Sequence, residues 1–94
     1  MEEKAKQIAE LLKVLANENR LLIICCLLKG RLTVGEIAKC VPNITQPALS
    51  QHLALLKANG ILDDKKSGQN VTYYIIDHRV GEVIEVLRKN YCEL

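Results

Sequence analysis

The chain has 94 residues, 49% of them hydrophobic, with no Phe, no Trp, three Tyr and a formal net charge of +2. This length suits one domain, residues 1–94, with a core of Leu, Ile and Val, near the size at which a partner subunit adds needed stability. The weak basic charge neither requires nor excludes nucleic acid, whereas the lack of any long apolar run excludes a membrane-spanning helix.

Met1-Glu-Glu-Lys4 has no basic start leading into an apolar segment, so the protein is expected to be soluble and cytoplasmic. Its four cysteines are then expected to be reduced, serving as packing residues, metal ligands or redox sensors rather than a disulfide framework. Lys4 to Leu15 carries Ala5, Ile8, Leu11, Leu12 and Leu15 at helical spacing, which predicts an amphipathic first helix. After the polar break Ala16 to Asn19, the segment Arg20 to Leu28 is apolar on every side, the pattern of a central helix ending at Lys29-Gly30. Thr33-Val-Gly-Glu36 has the spacing of a capping box and predicts a short third helix through Ile37, Ala38 and Cys40, stopped by Pro42.

The next helix has both ends written into it: Thr45 as N-cap, Pro47 in the first turn and Gly60 as the stop. At about 100° per residue, Leu49, His52, Leu53, Leu55 and Leu56 fall on one arc, and Gln46, Pro47, Ser50, Gln51, Ala54 and Lys57 on the other. The first arc packs. The second, slim and rich in uncharged hydrogen-bonding groups, suits entry into a DNA major groove. With the short helix before it, this makes a helix-turn-helix.

Ile61-Leu62 and Val71 to Ile76 read as two strands joined through Asp63 to Asn70, with Ser67-Gly68 at the turn. Such a hairpin is the wing of a winged helix, and Lys65, Lys66 and Gln69 at its tip would meet phosphates or the minor groove. Asp77 then caps a last helix whose stripe of Val80, Val83, Ile84, Leu87 and Tyr91 is longer than a lone domain needs. The expected fold is α+β and mostly α: five helices with a two-stranded wing, dimerised through the first and last helices on a palindromic operator in double-stranded DNA.

Leu15-Ala-Asn-Glu-Asn-Arg-Leu22, Thr33-Val-Gly-Glu-Ile-Ala38 and Gln46-Pro-Ala-Leu-Ser-Gln-His-Leu-Ala-Leu-Leu56 together resemble the ArsR/SmtB family of bacterial winged-helix repressors, over nearly the whole chain. The resemblance implies a homodimer that represses its operon until an inducer binds, with Gln46, Ser50, Gln51 and His52 at or near the DNA. His52, on the apolar arc, would be buried or face a phosphate. His78, at a helix start, would be solvated.

In that family, thiolate-using members carry Cys-x-Cys in the segment matching Ile37 to Cys40, where this chain has only Cys40. Zinc-sensing members place their ligands at positions matching Asp77, Arg79, Asn90 and Glu93, where both imidazoles are missing here. Neither a metal nor a cofactor is therefore expected. Cys25 with a terminal Tyr91-Cys92 resembles instead the dithiol subgroup that senses reactive sulfur species or oxidants, in which a bridge between the two thiols releases DNA. Cys26, adjacent to Cys25 on a helix, cannot pair with it, and it and Cys40 read as packing residues. Two alternatives stay open: a sensor of a thiophilic species such as arsenite using Cys25, Cys26 and Cys92, and a winged-helix module for protein contacts. No catalytic constellation accompanies the thiols, so an enzyme is not expected.

Overall fold

The computed structural model describes residues 1–91. The first helix, α1 (Glu2–Leu15), buries only its last residue, while Leu11 and Val14 pack against the core. Ile8 and Leu12, on the predicted stripe, are 57% and 52% exposed. Asn17 then accepts a hydrogen bond from the Arg20 amide and opens α2 (Glu18–Leu27), two residues earlier than the apolar run alone suggested. Every side of α2 meets another element, which accounts for its lack of a polar face: α3, α4, α5 and the sheet all pack around it.

Strand β1 (Leu32–Thr33) leads into α3 (Val34–Cys40), and the capping box is formed in full. The Thr33 hydroxyl accepts from the Glu36 amide, and the Glu36 carboxylate accepts from the Thr33 amide at 2.8 Å. Those contacts hold the Glu36 carboxyl below its ordinary pKa. After the turn comes α4 (Gln46–Ala58), capped by Thr45 with Pro47 in the first turn. Then β2 (Leu62–Ser67) and β3 (Asn70–Ile75) form a hairpin, and α5 (His78–Tyr91) ends the described chain.

The expected two-stranded wing is formed by β2 and β3, and β1 extends it to a three-stranded antiparallel sheet in the order β1-β3-β2. Leu32 pairs with Tyr73 and Thr33 with Thr72. Thr33 thus closes the sheet and caps α3 at once. The hairpin is also longer than expected: β2 runs to Ser67, and the loop shrinks to Gly68-Gln69, where Gly68 takes φ +62°. Lys65 and Lys66 therefore lie on the strand, opposite Thr72 and Val71, and only Gln69 occupies the tip.

The core sits between α2, α3, α4 and α5, with Ile23, Ile24, Ile37, Leu53, Leu56 and Ile61 shut off from solvent or nearly so. The Asp77 carboxylate accepts hydrogen bonds from the amides of Arg79 and Val80, as a helix cap does. The predicted stripe of α5 divides in two: Val80 and Ile84 enter the core, while Val83, Leu87 and Tyr91 remain exposed. Among the described residues, no helix is long and apolar enough to cross a membrane.

Candidate nucleic-acid interface and its thiols

Helix α4 shows two chemically distinct sides. Leu49, Leu53 and Leu56 are buried to 2% exposure or less, which fixes the helix against the core. Gln46, Pro47, Ser50, Gln51 and Ala54 are all exposed and carry no charge. Leu55, expected among the packing residues, instead stands at the edge of the arc, 39% exposed.

His52 sits between the two sides, half-buried. Arg20 Nη1 of α2 lies 3.4 Å from His52 Nδ1, and Arg20 Nε donates to the Val14 carbonyl at the end of α1. One guanidinium of α2 thus ties α4 to the end of α1. Burial, and secondarily the charge of Arg20, push the His52 imidazole below its ordinary pKa. The folded protein therefore takes up this proton less readily than the unfolded chain. The associated stability is complete above the ordinary value near 6.5 and is lost as pH falls through the depressed folded value. The thermal midpoint is expected to fall between about pH 7.5 and pH 5.5, and His52→Gln to flatten that fall. An equally steep fall in the variant would show that His52 is not the group responsible.

Lys57, placed by spacing on the outward arc, is exposed but already paired. Its ammonium lies 3.1 Å from each oxygen of Asp64 on β2, which raises its pKa and couples the end of α4 to the wing. Lys65, Lys66 and Gln69 are exposed on the distal half of the hairpin. At the other end of the sheet, the Arg31 guanidinium stacks 4.1 Å from the centre of the Tyr74 ring.

The cysteines are arranged differently from the expectation. Cys26 and Cys40, read as separate packing residues, are joined by a disulfide with a Cα–Cα distance of 6.4 Å. The crossing of α2 and α3 brings them together, and Cys40, at the end of α3, is exposed rather than covered. Cys25 is free and half-buried, in a groove between α2 and α5 bordered by Leu28, Gly81, Glu85 and Arg88. Burial pushes its thiol pKa up, the Arg88 charge lowers it, and the Glu85 charge raises it again. Glu85 and Arg88 are themselves paired at 2.6 Å. Cys92 lies outside the described residues.

Among the described residues, no cluster of three or more His, Cys, Asp or Glu side chains could hold a metal ion. Asp77, at one of the positions matched to the zinc sensors, instead binds the Arg79 guanidinium at 2.8 and 3.0 Å. The pairing holds the Asp77 carboxyl below its ordinary pKa.

The elements together form a winged helix-turn-helix, an architecture that DNA-binding transcriptional regulators use. Residues 17–64 match the family described as "Bacterial regulatory protein, arsR family", and the chain belongs to that family. It is 41% identical to the "Transcriptional activator HlyU" of Vibrio cholerae, over 99% of this chain and 85% of that protein. The structure of reduced HlyU superposes with a TM-score of 0.91, covering 99% of this chain and 97% of that one. The transcriptional repressor BigR of Xylella fastidiosa follows at 31% identity and a TM-score of 0.90, over 100% of this chain and 95% of that one. A homodimeric winged helix-turn-helix DNA-binding domain from Mycobacterium bovis is 26% identical with a TM-score of 0.79, over 95% of this chain and 82% of that one.

Proposed function

We propose that the chain forms a homodimer that occupies a palindromic operator and represses its own operon, and that it lets go when Cys25 and Cys92 become bridged. The observation that carries the DNA reading is the exposed, uncharged face of α4: Gln46, Ser50 and Gln51 are free to meet base edges because Leu49, Leu53 and Leu56 anchor the opposite side. Pro47 keeps the first turn slim, and His52, braced by Arg20, sets the pitch at which the helix enters the groove. Lys65, Lys66 and Gln69 on the wing supply the flanking phosphate or minor-groove contacts. Lys57 approaches the DNA with part of its charge neutralised by Asp64.

Exposed Ile8 and Leu12 on α1, with Val83, Leu87 and Tyr91 on α5, support the dimer, as does the homodimeric Mycobacterium bovis relative. Two-fold pairing would set the two α4 helices about 34 Å apart, one turn of DNA. The thiol reading rests on the place of Cys25 against Glu85 and Arg88 of α5.

The bridging chemistry is balanced with a persulfide as inducer. Its outer sulfur passes to one protein thiol and the donor leaves as a thiol; the second thiolate then attacks the protein persulfide, closing the disulfide and releasing hydrogen sulfide. A raised thiol pKa leaves little Cys25 thiolate at neutral pH, which keeps the reduced, DNA-bound form from reacting with weak oxidants. The test is a gel shift with the DNA upstream of the gene, before and after a persulfide donor. The wild-type chain is expected to lose at least about tenfold in affinity, and Cys25→Ser to stay bound within about twofold. A Cys25→Ser protein released as fully as the wild type would end the thiol reading.

A further inference from the structure

We propose that Cys26 and Cys40 form a second thiol–disulfide site, closed by low-molecular-weight disulfides, which clamps α2 to the first helix of the helix-turn-helix. The pair is independent of the proposed Cys25–Cys92 bridge. Cys25 and Cys26 are neighbours in sequence, but about 100° of helical rotation separates them. Cys25 faces Glu85 and Arg88 of α5, whereas Cys26 is bonded to the end of α3. The two thiol systems therefore open on different sides of α2.

The Cα–Cα distance of 6.4 Å falls within the range a disulfide spans, so the packing of α2 against α3 accommodates the bond. Exposure orders the chemistry. Cys40 ends α3 in contact with solvent, so its thiolate attacks one sulfur of a small disulfide and expels one thiolate, leaving a mixed disulfide. Half-buried Cys26 then attacks the Cys40 sulfur and expels the second thiolate. In sum, two protein thiols and one small disulfide become one protein disulfide and two small thiols, with electrons and protons balanced.

The bond acts at the C-terminal end of α3. This helix spans only Val34–Cys40, has Ile37 in the core with Val41 buried just after its end, and leads directly into the turn before α4. Linking its last residue to α2 across 14 positions of sequence restricts the unfolded chain and fixes the entry to the reading helix. Oxidation at this site thus stiffens the helix-turn-helix.

The test uses the full chain carrying Cys25→Ser and Cys92→Ser, reduced with dithiothreitol and then exposed to oxidised glutathione. The expected product has lost about 2 Da, retains no thiol reactive to iodoacetamide, and melts at least about 5 °C higher than the reduced form. Adding Cys40→Ser should abolish both the mass loss and the shift in midpoint. Glutathione adducts that persist on Cys26 or Cys40 without the mass loss would overturn the proposal, as would a closed bond that leaves the midpoint unchanged. Peptide mapping of the oxidised wild-type chain answers the pairing question even if the double variant fails to fold: a Cys26–Cys40 peptide supports the site, and scrambled or absent linkage refutes it.

Discussion

Replacing Ser50 and Gln51 together by alanine is expected to lower operator affinity about 100-fold while leaving the fold intact. A good hydrogen-bonded contact to a base edge is worth about 1–3 kcal/mol of discrimination, and two such contacts are lost. Both side chains are exposed, and the anchoring of α4 belongs to Leu49, Leu53 and Leu56. Alanine also has the higher helix propensity, so the helix itself gains slightly. Leu53→Ala is the contrasting control, because emptying a core position costs about 2–5 kcal/mol and would abolish binding by unfolding the domain. Fluorescence anisotropy on labelled operator, paired with circular dichroism melts, separates the two causes. A double variant that binds within about twofold of wild type would remove α4 from the interface.

Placing a carboxylate on each exposed apolar helix should have a comparable effect by another route. Leu12 is 52% exposed on α1 and Leu87 is 46% exposed on α5, so neither Leu12→Glu nor Leu87→Glu disturbs the protomer core. If these faces meet a second copy, the combined variant buries unpaired charge at the interface and sediments as a monomer. Operator affinity should then drop by roughly 10²–10⁴, because each half-site must be bound without the effective concentration its partner supplies. A double variant that remains dimeric in sedimentation equilibrium would place the subunit contact elsewhere.

How readily each element could be recognised beforehand follows from how local its causes are. Helix α4 was legible because Thr45, Pro47 and Gly60 mark its ends chemically and three buried leucines mark its inner face. The α3 cap was equally local: Thr33 and Glu36 satisfy each other's amides within four residues. The wing was only half visible. Asp63 to Lys66 holds no β-branched or aromatic residue, and it is a strand because pairing with Val71 to Tyr74 overrides its weak propensity. Strand β1, two residues long, is too short to show any periodicity.

The thiols show the same limit. Helical rotation correctly separated Cys25 from Cys26, but joining Cys26 to Cys40 depends on how α2 and α3 cross, which no spacing along the chain encodes. The angular position of Lys57 on α4 places it outward but is silent about Asp64, seven residues later on a different element.

A DNA grip governed by Cys25 and Cys92, as proposed, can be read in one anisotropy titration of operator DNA with two preparations of the wild-type chain. One is fully reduced; the other carries a Cys25–Cys92 link verified by mass spectrometry of its peptides. The reduced chain is expected to bind tightly and with steep salt dependence, and the bridged one at least about tenfold more weakly. Equal affinity of the two preparations would contradict the proposal.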